Sequence, residues 1–292
     1  MVYITSTNQH KGNIMHEIAF SIGELKIHWY GICAACGFLS AMLALTWKRH
    51  IAGVSKDNIM DIGMIAMFAG ILGARIFYVI QFHEQFAGNW LKVFRIDQGG
   101  LVFYGGFILS CIILILYCRI KKINLARLLD VVAPAVALGH AFGRIGCFMQ
   151  GCCFGKPAGE SWFGITFPWR SAPAMHYPDY LNKCSQALYP VQLIEAGANF
   201  LLFGILFFIA GKFKKPGRIA GIYVVCYAIL RFLMEFMRGD HTHSIVGLTP
   251  SQSVALFVTA PIGLLMILFA GKWGKNGAPD FNPDEKKKEE KK

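Results

Sequence analysis

Charge is what this chain lacks most. Only 16% of its 292 residues are Asp, Glu, Lys or Arg, against roughly 25% in a soluble domain. It therefore has too little polar surface to face water on all sides. Its 17 acidic residues are outnumbered by 29 basic ones, for a net +12. No soluble elements accompany that excess, which argues against a nucleic-acid stripe. Lys and Arg concentrated in cytoplasmic loops account for it better. Met1–Met15 is not expected to act as a signal peptide, since it has neither an apolar core nor a small-residue cleavage site. The first apolar run, from near Trp29, is expected to stay as an anchor. There is no internal repeat of the kind found in many secondary transporters. Cys33-x-x-Cys36 has no soluble βαβ pattern around it, so a thioredoxin-like redox role is not expected.

What the chain has instead is apolar length: 55% hydrophobic residues, 24 of the total being Phe. A spanning helix takes about 20 mostly apolar residues. Seven segments qualify: Trp29–Trp47, Ile59–Gln81, Val102–Cys118, Leu128–Met149, Pro190–Gly211, Ile219–Met237 and Thr249–Ala270. Alternate gaps are rich in base: Lys48, Arg49 and Lys56, then Arg119, Lys121, Lys122 and Arg127, then Lys212, Lys214, Lys215 and Arg218, then the tail. The other gaps hold fewer, namely Lys92 and Arg95, then Lys156, Arg170 and Lys183, then Arg238. By the positive-inside rule this puts the N-terminus outside and the C-terminus in the cytoplasm, which an odd number of spans requires. The expected fold is an all-α integral membrane protein of seven transmembrane helices. It forms one domain over 1–271, with an extracytoplasmic loop near 156–188 and a disordered charged cytoplasmic tail over 272–292. The loop carries Trp162, Trp169, Tyr177 and Tyr180, residues that favour the membrane interface.

Charges inside apolar spans are costly and mark function. Arg75, Arg144 and Arg231 lie within or near the spans, with Glu195 and Glu235 beside them. Three arginines toward the same half of different helices favour an anion site over structural ion pairing. Arg231, Glu235 and Arg238 share one helix face by their spacing, and arginine suits bidentate phosphate contact. In Gly139–Pro157, His140 lies one turn before Arg144, and Gly139, Gly143 and Gly146 allow close helix approach. Cys147, Cys152 and Cys153 follow. Cys-x4-Cys-Cys is not a familiar zinc spacing and no His ligand is evident nearby, so no metal is expected and the cysteines read as packing and turn residues. Tyr30 and Tyr104 open their helices on the same side as the arginines.

These residues carry a resemblance. The runs are Phe20-Ser21-Ile22-Gly23, Ile27-His28-Trp29-Tyr30-Gly31, Gly73-Ala74-Arg75-Ile76-Phe77-Tyr78 and Gly99-Gly100-Leu101-Val102-Phe103-Tyr104-Gly105-Gly106. Then come Gly143-Arg144-Ile145-Gly146 running to Gly155, Tyr189-Pro190-Val191-Gln192-Leu193-Ile194-Glu195, and Arg231-Phe232-x-x-Glu235-Phe236-x-Arg238. In this order, over about residues 20–270, they resemble the bacterial prolipoprotein diacylglyceryl transferases. Thr249–Ser253 is similar to the polar opening of that family's last helix.

The resemblance implies a transferase of the bacterial cytoplasmic (inner) membrane. Its substrates would be phosphatidylglycerol and prolipoprotein signal peptides with a lipobox cysteine. The diacylglyceryl group would pass to that thiol, forming a thioether and releasing glycerol phosphate, with no cofactor, as a monomer among membrane lipids. It implies catalytic roles for Arg144, Arg231, Tyr104, Tyr30 and Glu235. Phosphatidylglycerol contacts are implied for Arg144, Arg231, Arg75, Gly105, Gly106, Gly143, Gly146, Gln150 and Gly155. This chain has Tyr104 where many members have His, Cys147 where many have Asn, and Cys152 where many have Glu. The general base is left open among Tyr104, Tyr30, His140 and Glu235. The competing readings are a transporter or flippase for an anionic lipid or solute, with the arginines as its binding site, and a structural membrane subunit.

Overall fold

A computed structural model of the chain describes residues 17–23, 25–86, 88, 90–95, 100–159, 161–240 and 247–273. The expectations for Met1–Met15, for Gly99 and for most of the charged tail fall outside these residues.

The apolar runs form helices because, in lipid, the backbone must satisfy its own N–H and C=O groups. A hairpin of β1 (Ile18–Ile22) and β2 (Leu25–His28) leads directly into α1 (Trp29–Ala52). There follow α2 (Lys56–Gln81), α3 (Phe103–Ile120) and α4 (Leu125–Gln150). A long loop then holds the short α5 (Ala172–His176) and the pair β3 (Pro178–Asp179) and β4 (Cys184–Ser185). After it come α6 (Val191–Ile209) and α7 (Arg218–Met237). The last helix runs from α8 (Pro250–Val254) through a π-helical turn (Ala255–Thr259) into α9 (Ala260–Leu268). The all-α expectation thus needs correcting for two small antiparallel sheets.

Among the described residues, six helices are long and apolar enough to cross a membrane: α1, α2, α4, α6, α7 and the continuous Pro250–Leu268. The third expected segment forms the shorter, 18-residue α3. At 1.5 Å per residue that is about 27 Å, just short of the roughly 30 Å hydrocarbon core.

The described residues pack as two compact units. One comprises the chain up to Ala44 with Asp130–Ala270, the other Leu45–Leu129. In the second, α2 and α3 run antiparallel with their backbones touching at glycines. A Cβ on Gly73 would stand 2.5 Å from the Gly105 carbonyl oxygen, and one on Gly106 2.5 Å from that of Gly70. Only glycine permits that approach. The seam continues where the Ser110 hydroxyl donates to Ala66 O at 3.2 Å and the Tyr117 hydroxyl to Asp61 at 2.7 Å.

In the first unit, Ala137 of α4 packs with Leu202 and Leu206 of α6 and Ile219 of α7. Asp130 ties α4 to α7. Its carboxylate accepts from the backbone N–H of Gly217 at 2.7 Å and of Ala220 at 2.9 Å. These are orphan donors at a helix start, which α7's own cap residue, Gly217, has no side chain to satisfy. Asp130→Ala is expected to cost about 1–2 kcal/mol of stability, the value of a lost cap. Thermal unfolding in detergent measures it; an unchanged midpoint would contradict the assignment.

Candidate active site

The C-terminal end of α4 builds the site's floor. α4 stops in a Schellman motif: Gly151, at φ +71°, donates to Phe148 O, and Cys152 donates to Cys147 O, both at 3.1 Å. The chain is then held by pairing with the segment that leaves α7. Lys156 N–H bonds to Met237 O at 2.9 Å, and Gly239 N–H to Phe154 O at 3.0 Å. Beyond that, the long loop is folded over its own core of Phe148, Phe154, Phe167 and Leu188.

Arg144 stands on α4 just before that turn. Its Nη2 lies 2.9 Å from Glu195 Oε1 on α6, and its Nε donates to His140 Nε2 at 3.2 Å. The i, i+4 spacing of His140 and Arg144 makes the second contact possible. With Nε2 accepting, the imidazole is neutral there. Glu195 is only 1% exposed. Arg231 and Arg238 also act on it through space. The sequence showed Glu195 as an intramembrane charge but did not put it in the site. Only the fold reveals it as the partner of Arg144.

Arg231 occupies the neighbouring position on α7. Its Nη2 reaches Glu235 Oε2 at 3.0 Å and donates to the Ser251 hydroxyl at 2.8 Å. Glu235 is fixed from its other oxygen by the Thr249 hydroxyl at 2.8 Å. Thr249 is in turn the N-cap of α8, in a capping box with Gln252. One guanidinium nitrogen, Arg231 Nη1, is buried with no hydrogen-bond partner among the described residues. An unsatisfied buried donor costs about 1–3 kcal/mol, so this nitrogen is poised for an acceptor from outside the chain. Arg238 differs: Asp240 takes it bidentately at 2.9 and 2.6 Å. Glu235 also acts on Arg238 through space, so the three residues that share this face remain electrostatically linked.

The other expected residues of this unit gather here unevenly. The ring of Tyr30 lies on Gly146, where a Cβ would come within 3.0 Å of Tyr30 Cδ2. Gly143 faces open space. Gln150, half-buried, ends α4. Gly155 pairs with Arg238, and a Cβ there would strike the Tyr189 carbonyl. Gln192, which the resemblance quoted only inside a run, is fully buried and donates to Cys152 O at 2.8 Å.

Arg75, Tyr104, Gly105 and Gly106 belong to the other unit. Arg75 is expected at a phosphate, yet its N–H groups go to main-chain carbonyls. Nε donates to Val93 O at 2.8 Å, Nη1 to Gly100 O at 3.0 Å, and Nη2 to Lys92 O and Arg95 O at 2.7 and 3.0 Å. Its planar face rests by Tyr78 and Phe86. Gly105 and Gly106 make the α2–α3 seam, and Tyr104 is 70% exposed in the first turn of α3.

Residues 17–269 match the family model for prolipoprotein diacylglyceryl transferase. The chain belongs to the prolipoprotein diacylglyceryl transferase family. It is 33% identical over 252 residues to the phosphatidylglycerol–prolipoprotein diacylglyceryl transferase of Clostridium tetani, covering 86% of this chain and 96% of that one. It is 32% identical over 244 residues to a second such transferase of Clostridium perfringens, covering 84% and 91%. It is 31% identical over 256 residues to one from Finegoldia magna, covering 87% and 96%.

Within this diacylglyceryl transferase framework, the structure brings together three cysteines that the sequence read only as packing and turn residues. The sulfurs of Cys147, Cys152 and Cys153 lie within 4.8 Å of one another. The Schellman motif explains the first pair, because it brings the side chain of the residue whose carbonyl accepts the outer bond, Cys147, against the second residue past the helix end, Cys152. Cys153, at φ +58°, turns the chain back so that its sulfur joins them. Hydrogen bonds from the Cys147 and Cys152 thiols hold the Cys153 thiol below the ordinary range, against burial and with the help of Arg238 and Arg144. All nine cysteines are free.

Proposed function

We propose that this chain transfers the diacylglyceryl group of phosphatidylglycerol to the lipobox cysteine thiol of prolipoproteins. A thioether forms and glycerol phosphate leaves. The observation on this chain that carries the reading is the Arg231 guanidinium, held on one edge by Glu235 and Ser251 while its other nitrogen is buried without a partner. A phosphate ester leaving group needs charge compensation where it departs, and preorganised donors in a water-poor site supply it. Arg144, aimed by His140 and Glu195, would be the second contact. Tyr30, on Gly146, would border the lipid, with Gly143 leaving room for it. Gln150 and Gly155 would shape the same floor. In the other unit, taken by itself, Arg75 would hold the segment that precedes α3, where Tyr104, Gly105 and Gly106 open the helix.

The same reading makes α3 a seventh span and the chain a monomer, with its N-terminus outside and its C-terminus in the cytoplasm of a bacterium. The site would then lie toward the outer face of the cytoplasmic membrane, where both membrane-anchored substrates arrive.

The test is direct. Purified protein is incubated with phosphatidylglycerol and a lipobox peptide, and the peptide is weighed by mass spectrometry. A diacylglyceryl gain on the cysteine is expected, with none on the Cys→Ser peptide. No gain would sink the reading, and passage of unaltered lipid across vesicles would favour a transporter.

A further inference from the structure

Displacing a phosphate ester with sulfur needs a thiolate, and the acceptor thiol has a free pKa near 8.5. The buried groups around Arg144 and Arg231 are poor bases for it. The His140 Nε2 lone pair accepts from Arg144. Glu195 is paired with Arg144, and Glu235 with Arg231. One feature of the same unit remains unused, the three sulfurs at the end of α4.

We infer that Cys147, Cys152 and Cys153 form a three-thiolate zinc site whose fourth position takes the acceptor thiol of the lipobox cysteine. The inference rests on the transferase reading. Zinc bound at about 2.3 Å to each sulfur would place the sulfurs about 3.8 Å apart, a contraction of about 1 Å at most from the 4.8 Å within which all three now lie. The frame that holds them is fixed by backbone hydrogen bonds at Gly151 and Cys152 and by Gln192 on the Cys152 carbonyl. Among the described residues no fourth His, Cys, Asp or Glu joins the group. Zinc prefers four ligands and leaves one position open where it does chemistry. Three thiolates around Zn²⁺ carry one net negative charge, and a fourth brings two. Arg238 and Arg144, which both act on Cys153 through space, offset that charge.

The step balances without a protein base. The lipobox thiol binds zinc as thiolate and gives its proton to water; a thiol coordinated to such an ion is deprotonated outright. Its sulfur forms a bond to the glycerol carbon of phosphatidylglycerol. The carbon–oxygen bond to phosphate breaks, and its electron pair leaves with glycerol phosphate. The thioether product is neutral and a weaker ligand, so the position reopens.

The experiment uses the full chain in detergent under reducing conditions. It is stripped with a chelator, reloaded with Zn(II), and followed by metal analysis, zinc-edge X-ray absorption and peptide mass. We expect one zinc per chain with three sulfur neighbours. A fourth sulfur is expected on adding the lipobox peptide, but not its Cys→Ser analogue. Turnover of the stripped protein falls by about 10²-fold or more, the scale on which proton removal contributes, and returns with zinc. Cys152→Ser and Cys153→Ser lose the metal, whereas Cys184→Ser keeps both metal and turnover. Full turnover in stripped protein overturns the zinc site and leaves the transferase reading standing. So does zinc retained by the Cys147→Ser, Cys152→Ser, Cys153→Ser triple variant, or an ion that never gains a fourth sulfur. A zinc-loaded protein that gains the fourth sulfur but transfers no lipid overturns the transferase reading instead. The chelation arm needs no variant, so a misfolded serine variant does not blunt the test.

Discussion

Arg231→Lys should reduce diacylglyceryl transfer by about 10²-fold or more, the loss seen when one preorganised donor to a developing anion is removed, while leaving the protein folded. The charge survives the change, so a simple Coulomb argument predicts little. The geometry predicts otherwise. Arg231 uses Nη2 for Glu235 and Ser251 and keeps Nη1 for something else. A lysine has one nitrogen on a flexible stem and cannot hold two directions at once. Drawn to Glu235, its ammonium would leave the anion without its donor. Turnover per folded enzyme, with phosphatidylglycerol and lipobox peptide both saturating, is the quantity to measure. A lysine variant within a few-fold of wild type would mean that Arg231 supplies only charge. Ser251→Ala offers an internal scale, since it removes one aiming contact and leaves the fork intact.

Glu195→Ala should be the most damaging single change to stability, and it should abolish most activity as well. Removing one member of a buried ion pair costs about 3–5 kcal/mol, because the survivor is left as an uncompensated charge. Here the survivor is Arg144, whose Nε still donates to His140 Nε2. The Glu195→Ala, Arg144→Ala double variant should therefore unfold at a higher temperature than Glu195→Ala alone, yet remain inactive. That split separates the structural role of the pair from the chemical role of the arginine. If the double variant is no more stable than the single one, the two residues are not coupled in the way their 2.9 Å contact requires.

Much of this architecture was legible from apolar runs alone. The segment expected over Ile219–Met237 is α7 to within one residue, and Ile59–Gln81 differs from α2 only by the turn that Ser55 caps. Lipid makes such runs unambiguous, because no other conformation satisfies the backbone there. The β1–β2 hairpin is harder to read, because its strands are only five and four residues long and run straight into the first apolar span. Charged residues were legible as positions but not as partners. Arg75 has the same look in the sequence as Arg144, yet its acceptors are carbonyls 17 to 25 residues away in a segment with no regular pattern. The Arg144–Glu195 pair joins two helices separated by the whole long loop, which no periodicity records. The thiol cluster had a signal that went unused. Cys147 and Cys152 are five apart across Gly151, and a glycine just past a helix end is the mark of the cap that brings those two positions together.

The pairing of residues 154–156 with 237–239 has a mechanical consequence. Two backbone bonds in opposite directions, with the Tyr177 hydroxyl on Gly239 O at 3.1 Å, fasten the exits of α4 and α7 to each other. A hinge at either exit would have to break that splice before anything moved. The three sulfurs and Arg238 thus ride on one stiff joint, and Arg144 and Arg231 stand directly beneath it on the two helices it locks. Whatever opens to admit a lipid tail, the two arginines proposed to meet its headgroup keep their spacing while it does so.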